Sequence, residues 1–99
     1  MPPVPKPVRV KDRTAIERAR KPWCEWCWDL RKSCHVHHIK SRGAGGHDMD
    51  DNLICLCWEC HDKAHRGLIS RDELRRRKEE ILAGVWAWKV FQLTRMAAW

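Results

Sequence analysis

Two Cys-x-x-Cys pairs constrain this chain more than any other feature of its sequence. The first pair is Cys24 and Cys27, and the second is Cys57 and Cys60. A chain of 99 residues buries only a modest fraction of its surface, so its core is marginally stable without disulfides or a metal site. The N-terminal sequence MPPVPKPVRVKDR lacks the apolar segment of a secretory signal, and no apolar run reaches the roughly 18 residues of a membrane span. We therefore predict a cytoplasmic protein whose thiols stay reduced and bind metal.

The four paired cysteines predict a structural zinc site. Four thiolates complete a tetrahedral coordination sphere and leave no open position for a substrate. The apparent binding energy of such sites is about 10–16 kcal/mol, whereas the net stability of a domain is about 5–15 kcal/mol. The zinc is therefore expected to decide whether the chain folds. Cys34 and Cys55 are left over, and we expect buried free thiols, with replacement of Cys57 by Cys55 as the alternative.

The region around the second cysteine pair is dense in side chains that bind metal or move protons. In chain order these are His37, His38, Asn52, His61 and His65. Adjacent residues of a strand point to opposite faces, so His37 and His38 are expected to do different jobs. His61 and His65 are four residues apart, which places both rings on one face of a helix, within reach of one ion.

The order of these motifs resembles that of the HNH nuclease family, and of small phage-encoded HNH endonucleases in particular. The resemblance covers residues 24–65 and runs through Cys-x-x-Cys, His37-His38-Ile39, a glycine-rich loop, Asn52-Leu53 and Leu56-Cys57-x-x-Cys60-His61. It implies an α+β fold with a ββα-metal (His-Me finger) core, here pinned by the structural zinc and flanked by helices. It also implies a metal-dependent endonuclease that nicks DNA or cuts both strands, leaving a 3′-hydroxyl and a 5′-phosphate.

The same resemblance assigns roles to the candidate site residues. His38 is the general base that activates water, and His37 and His61 bind one catalytic divalent cation, which could be Mg²⁺, Mn²⁺, Ni²⁺ or Zn²⁺. A neutral imidazole with a pKa of about 6.5 can accept a proton at physiological pH. His65 is a third ligand, a phosphate contact or a surface histidine. Asn52 belongs to the catalytic set because it braces the loop and the general base, although an asparagine that only makes a turn would look the same.

The charge of the chain is unevenly placed and favours a polyanionic partner. The net charge is +7, divided as +5 in residues 1–22, −2 in residues 23–65 and +4 in residues 66–99. Basic flanks around a mildly acidic centre suit a protein that holds DNA and a cation. The candidate contacts to the DNA backbone are Arg20, Lys21, Lys40 and Arg42. A solvated basic face is the alternative.

The loop before Asn52 is rich in glycine and aspartate. Its glycines, Gly43, Gly45 and Gly46, would let the backbone approach a phosphate closely, although a merely flexible loop is the competing interpretation. Its aspartates are Asp48, Asp50 and Asp51, which we interpret as turn formers, with a second metal site as the alternative.

The sequence pattern and the resemblance together divide the chain into three regions. Residues 1–22 form a basic, partly flexible arm, residues 23–84 the zinc-stabilised HNH nuclease domain, and residues 85–99 a tryptophan-rich C-terminal helix. The predicted elements are a short helix inside 11–21, strands over 35–39 and 53–56, and helices over 57–65 and 71–83. Ser70 and Glu73 form a capping box before the last of these helices, whose apolar side is Leu74, Ile81 and Leu82.

The tryptophans divide into two groups. Those near the cysteines are expected to cover the zinc, namely Trp23, Trp26, Trp28 and Trp58. The tail helix carries an apolar stripe of Trp86, Val90, Leu93 and Ala97. The large aromatic residues of the tail either pack on the domain or form a docking surface for a second copy or another protein, namely Trp86, Trp88, Phe91 and Trp99. By the resemblance, a phage DNA-packaging terminase is one partner, and the protein would then act in the host cytoplasm. The alternative function is a non-catalytic zinc-ribbon DNA-binding or adaptor protein.

Overall fold

The computed structural model describes residues 10–97, in which a two-stranded sheet is surrounded by helices. The helices are α1 (Arg13–Ala19), α2 (Trp58–His65), α3 (Arg71–Leu82) and α4 (Ala87–Ala97), and the strands are β1 (Cys34–His38) and β2 (Leu53–Cys57). Two short 3-10 turns, Arg42–Ala44 and Asp50–Asn52, lie in the connection between the strands. The predicted α+β class is confirmed. The first nine residues of the predicted basic arm lie outside the described residues.

The two strands pair antiparallel and form the centre of the molecule. The register runs from Cys34 opposite Cys57 to His38 opposite Leu53, and every residue of β2 is buried. Small residues of α1 cover one side of the sheet, where Ala15 and Ala19 pack on Leu53. The main core, which includes Ile54, Leu56, Cys60, Ile69 and Leu74, connects the sheet to α2 and α3. Because strand side chains alternate, the adjacent histidines 37 and 38 point to opposite sides of the sheet.

Helix α2 follows β2 without a loop. Cys57 is the last residue of β2 and also the N-cap of α2, and Cys60 in the first turn of the helix is buried. Gly67 follows the helix in the left-handed conformation at φ +75°, which a side chain would strain. Helix α3 then begins as predicted, because the Ser70 side chain accepts a hydrogen bond from the Glu73 amide.

The first cysteine pair lies in a tight knuckle that is joined to β2 and α3. The Trp28 amide donates to the Cys24 carbonyl at 2.9 Å, and Trp28 has φ +62°. Glu25 donates its amide to the Cys55 carbonyl at 2.7 Å and accepts the Cys55 amide on Oε1 at 2.9 Å. The same oxygen lies 3.4 Å from the Lys78 ammonium, and both side chains are almost fully buried. A buried carboxylate needs such a partner, so Lys78 fixes α3 against the knuckle.

Arg77 of α3 makes a second connection to the knuckle. Its guanidinium donates to the carbonyls of Glu25 and Trp26 at 2.9 and 2.7 Å. It also lies 4.4 Å from the ring centroid of Trp26 and 4.5 Å from that of Trp86, which precedes α4. The ring centroids of Trp28 and Trp86 are 5.2 Å apart. Cation–π and ring contacts therefore hold the start of the tail helix on the knuckle.

The tail helix buries one side and exposes the other. Leu93 is buried, whereas Trp88 and Phe91 are 64% and 65% exposed. Leu93 of the predicted stripe is therefore buried, and a docking role for the exposed Trp88 and Phe91 stays a prediction. The Ala97 side chain and Trp99 lie outside what the structure describes. Among the described residues, no helix has the length and apolar content needed to cross a membrane.

Two apolar positions differ from the sequence-based predictions. Trp58 is 67% exposed and does not cover the cysteines, because the inward side of α2 is set by Cys60 and the half-buried Ala64. Leu82 is 55% exposed and does not extend the apolar side of α3. Lys78 takes the buried position one turn after Leu74, because it pairs with the carboxylate of the knuckle.

Gly46 is required by packing inside the loop, whereas an approach of the loop to phosphate stays a prediction. A Cβ atom built on Gly46 would lie 1.8 Å from the Lys40 carbonyl oxygen, and the Gly46 amide donates to the Ser41 carbonyl at 2.8 Å. We predict that Gly46→Ala lowers the free energy of unfolding by about 1–3 kcal/mol, as over-packing does. Gly43→Ala is the matched control, because a Cβ there meets nothing within 4 Å. Urea unfolding of the zinc-loaded protein measures both, and equal stabilities would contradict this assignment.

Candidate functional site

The four paired cysteines come together at one point. The Sγ atoms of Cys24, Cys27, Cys57 and Cys60 all lie within 4.8 Å of one another, and those of Cys27 and Cys57 are 3.8 Å apart. Zinc–thiolate bonds of about 2.3 Å in a tetrahedron separate the sulfurs by about 3.8 Å. The donor set and its spacing therefore fit a zinc ion with a closed coordination sphere. Three of the four residues are buried, which suits a structural role.

The backbone around the knuckle favours a thiolate at Cys24. The amides of Trp26 and Cys27 both point at the Cys24 Sγ atom at 3.4 Å. Burial acts to raise the pKa of Cys24, but hydrogen bonds from backbone amides outweigh it, and the pKa is lowered. Burial raises the pKa of Cys27 and of Cys60. A bound cation reverses such a shift, because the thiolate is the ligand.

Cys34 and Cys55 lie outside this four-cysteine cluster. Burial raises the pKa of both thiols, that of Cys34 to about 12. The Cys55 Sγ atom is 3.4 Å from both the amide nitrogen and the carbonyl oxygen of Lys21. Cys57, not Cys55, contributes the sulfur of β2 to the cluster. These two residues are therefore suited to remain neutral thiols.

Three of the predicted histidines form a second cluster. The ligand nitrogens of His37, His61 and His65 lie within 4.8 Å of one another, and the Nε2 atoms of His61 and His65 are 3.2 Å apart. Metal–nitrogen bonds of about 2.0–2.1 Å place neighbouring nitrogens about 3.3 Å apart in a tetrahedron. His35 is exposed, with its ring centroid 6.3 Å from that of His61, and lies outside the cluster.

The environment of the three-histidine cluster favours the neutral form of His37 and His61. Burial is the main cause that lowers the pKa of His37 to about 4, and the neighbouring rings of His61 and His65 add to it. Burial likewise lowers the pKa of His61. A divalent ion binds the neutral imidazole, so these nitrogens are available at neutral pH without losing a proton first.

The four-cysteine cluster positions the three-histidine cluster. His37 comes from β1, whereas His61 and His65 come from successive turns of α2. Cys57 and Cys60 span the junction of β2 and α2, and His61 directly follows Cys60. A metal bound by the thiolates therefore fixes the angle at which α2 presents its two histidines to the sheet.

His38 lies on the other side of the sheet and contacts a buried carboxylate. Its Nε2 atom is 2.7 Å from Oδ1 of Asp48, and the Asp48 side chain is only 4% exposed. The second carboxylate oxygen of Asp48 accepts the Asp12 amide at 3.0 Å. The interpretation of Asp48 as a turn former missed this contact. No local pattern signals it, because the two residues meet only when the loop between them closes.

The Asn52 side chain holds both ends of the loop that precedes it. Its Oδ1 atom accepts the Lys40 amide at 2.8 Å, and its Nδ2 atom donates to the carbonyls of Lys40 and His47 at 3.1 and 2.9 Å. The Asn52 carbonyl accepts the Ile39 amide at 2.9 Å. These contacts are with the loop backbone and agree with a bracing role.

Two depressions lie near His38: one is lined by His38 itself, and the other by Arg42 and Asp48, which contact it. A cleft of about 280 Å³ is lined by His37, His38 and His65, and also by Ser41 and Arg71. His38 thus lines the same cleft as two members of the three-histidine cluster, and its Nε2 atom contacts Asp48. This cleft is the candidate reaction site.

The second depression is a basic groove beside α1. Its volume is about 470 Å³, and its cationic lining residues are Lys11, Arg13, Arg20 and Arg42. Arg20 and Arg42 were predicted as DNA contacts, whereas Lys11 was not. Lys40 lines a separate depression with Asn52 and Arg75. The Lys21 ammonium contacts the Arg18 carbonyl.

These features define a small α+β domain with two clusters that could each hold a metal ion. The sequence model of the family "HNH endonuclease" matches residues 24–67, which confirms the predicted resemblance of this segment to that family. A curated protein named anaredoxin, from Nostoc sp. (strain PCC 7120 / SAG 25.82 / UTEX 2576), is 33% identical over 49 residues. The match covers 50% of this chain and 64% of that protein, so the chain spans less than two thirds of its relative. No solved structure gives a significant match.

The two clusters are expected to respond to mutation differently. Cys60→Ser should abolish zinc binding and cooperative unfolding, because the site contributes about 10–16 kcal/mol to a fold of about 5–15 kcal/mol net stability. His61→Ala should leave one zinc bound and remove only the second ion. Cys34→Ser is the matched control and should keep both. Metal content by mass spectrometry together with thermal unfolding checks the set. A Cys60→Ser protein that folds with its zinc would contradict the four-cysteine assignment.

Proposed function

We propose that this chain is a metal-dependent HNH endonuclease that hydrolyses phosphodiester bonds of DNA. The observation that carries the proposal is the shared cleft, in which His38 lies beside His37 and His65 of the three-histidine cluster. Hydrolysis of a phosphodiester needs an activated water, a charge near the phosphate and stabilisation of the leaving oxygen. The cleft brings together groups suited to all three tasks.

In this proposal His37, His61 and His65 hold one divalent ion, and β1, β2 and α2 form a ββα-metal core around it. When bound, the ion supplies Lewis-acid stabilisation of the phosphate and of the leaving oxygen. Three neutral imidazoles suit Mn²⁺, Ni²⁺ or Zn²⁺ better than Mg²⁺, which prefers oxygen ligands. His61 and His65 both project from α2, so the helix fixes the distance between two of the three ligands.

His38 is the proposed general base. It takes a proton from a water molecule as that oxygen attacks phosphorus and the bond to the 3′ oxygen breaks, which gives a 3′-hydroxyl and a 5′-phosphate. Asn52 does not react but holds the loop on which the base depends, through its hydrogen bonds to Lys40 and His47. His37 and His38 can serve as metal ligand and general base, respectively, because their side chains point in opposite directions from β1.

The basic groove is the proposed DNA-binding surface. It carries four cationic side chains, and two of its three carboxylates, Asp12 and Asp48, already accept hydrogen bonds within the protein. Arg42 connects the groove to the cleft, because its Nε atom lies 3.4 Å from Nε2 of His38. A strand bound in the groove would therefore continue toward the reacting phosphate. Lys40 and Lys21 stay proposed contacts outside the groove.

Several finer features of the function stay predictions. We expect weak sequence preference, because nothing in the sequence resembles a separate element for reading the major groove. Phage origin, a packaging terminase or a second copy as partner, and a cytoplasmic location rest on the sequence alone. The competing function, a zinc-ribbon protein that binds DNA without cutting it, is separated by the next experiment.

The wild-type protein should nick supercoiled plasmid in at least one of Mg²⁺, Mn²⁺, Ni²⁺ and Zn²⁺. His38→Ala should lower the rate by about 10²–10⁴-fold, the usual contribution of a general base, while metal content stays unchanged. His35→Ala is the matched control on the same strand and should retain activity. A wild-type protein that binds DNA but never nicks it in any of the four ions would favour the non-catalytic zinc ribbon.

The groove can be tested by removing two charges. Lys11→Gln with Arg13→Gln should weaken DNA binding and reduce the slope of log affinity against log salt by about one for each lost phosphate contact. Arg76→Gln with Arg95→Gln removes the same charge from α3 and α4 and serves as the control, with little change in slope. Fluorescence anisotropy with labelled duplex DNA over a salt series measures both. Equal slopes for the two double variants would exclude the groove as the binding surface.

A further inference from the structure

The contact between His38 and Asp48 determines which nitrogen of His38 can accept a proton. The Nε2–Oδ1 distance of 2.7 Å is that of a strong, charge-assisted hydrogen bond, and both side chains are largely buried. We propose that Asp48 is a positioning residue that holds His38 as the Nε2–H tautomer, so that Nδ1 is the base that receives the proton from water. This inference rests on the proposed function of His38.

The direction of the hydrogen bond follows from the other contacts of Asp48. Its Oδ2 atom accepts the Asp12 amide at 3.0 Å, so the carboxylate acts as an acceptor on both oxygens and the imidazole nitrogen must donate. Arg42 Nε lies 3.4 Å from the same imidazole nitrogen, which is longer than a normal hydrogen bond. A nitrogen that donates to Asp48 has no lone pair left for Arg42. The shorter contact therefore defines the tautomer, and Arg42 acts as a nearby positive charge.

Asp48 is itself held by the segment before α1. Its amide donates to the Val10 carbonyl at 2.9 Å, and the Val10 amide donates to Nδ1 of the preceding His47 at 2.7 Å. Asp12 then caps α1 through the Thr14 amide. The orientation of the proposed base is thus fixed by residues more than thirty positions away from Asp48 in the sequence. The short stretch before α1 belongs to the reaction site, although it carries none of the family's motif.

The pairing has a chemical consequence in the hydrolysis step. When Nδ1 takes the proton from water, the ring becomes an imidazolium, and the carboxylate beside Nε2–H stabilises that charge without taking the proton. The oxygen of the water joins phosphorus, the 3′ oxygen leaves with its electron pair and takes a proton from solvent water, and the proton on Nδ1 is released afterwards. Without Asp48, either tautomer of His38 is available, and the fraction with a free Nδ1 falls.

The tautomer is read directly by long-range ¹H–¹⁵N NMR on the zinc-loaded full chain, at alkaline pH where an imidazole is neutral. We expect His38 to show a protonated Nε2 and an unprotonated Nδ1 in the wild type, and a mixture in Asp48→Ala. Assignment of the His38 signals comes from His38→Gln. This readout needs no nuclease activity, so it tests the pairing even if the protein does not cut DNA.

Single-turnover nicking tests the catalytic consequence. Asp48→Asn and Asp48→Ala should lower the rate constant by about 10–100-fold, the usual effect of losing a partner that orients a functional histidine. Substrate affinity, metal content and thermal unfolding should stay close to wild type in Asp48→Asn, whose side chain has the same size. Asp50→Asn is the control, because Asp50 lies in the same loop but pairs with Arg18 on the surface.

The possible results separate this inference from the proposed function. A wild-type His38 protonated on Nδ1, or an Asp48→Ala variant that nicks at the wild-type rate, would overturn the positioning role while leaving the nuclease intact. A wild type that does not nick in any metal would overturn the proposed function. An Nε2–H tautomer together with slow but metal-replete Asp48 variants is the result we expect.

Discussion

The four-cysteine cluster is the constraint on which the rest of the structure depends. It joins a knuckle of the N-terminal half to the point where β2 becomes α2, so one metal site fixes a loop, a strand and a helix at once. A sheet of two strands is too small to be stable alone, and a thiolate-bound ion supplies energy comparable to the whole net stability of such a domain. Glu25, inside the knuckle, extends this connection to α3 through its buried contact with Lys78.

The geometry of the three-histidine cluster depends on that of the four-cysteine cluster. His61 follows Cys60 directly and His65 is one turn further, so α2 carries residues of both the four-cysteine cluster and the three-histidine cluster. The sheet then separates the two adjacent histidines, one toward α2 and the other toward α1. Each side supplies a different partner, two imidazoles for His37 and one carboxylate for His38. Different chemistry at neighbouring positions thus follows from the alternation of a strand.

Features set by local spacing could be predicted from the sequence. The cysteine pairs, the strand around Val36, the apolar run of β2, and the start of α3 at Ser70 all depend on residues a few positions apart. The family resemblance then added what spacing does not show, the expectation that residues of β1 and α2 meet at one ion. For His37, His61 and His65 the structure brings the rings together as that expectation requires.

Contacts between residues that are far apart in the sequence could not be predicted in the same way. Asp48 looked like one of several turn aspartates, because its partners His38 and Asp12 lie 10 and 36 residues away. Lys11 could not be told apart from other basic residues by sequence, because only the packing of α1 beside the loop makes it line the groove. Lys78 occupies a position that helical periodicity would give to an apolar residue, and only the buried carboxylate of Glu25 explains it.

The stacking of Trp28 and Trp86 beside Arg77 gives the folded protein an intrinsic spectroscopic signal. Trp28 and Trp86 lie with their ring centroids 5.2 Å apart and tilted by 36°, close enough for their electronic transitions to couple. Trp58 and Trp88, by contrast, are exposed to solvent and contribute little to the near-ultraviolet circular dichroism signal. Near-ultraviolet circular dichroism therefore reports whether the tail helix is seated on the knuckle, separately from the far-ultraviolet signal of the helices themselves. Undocking of the tail would be visible without any added dye.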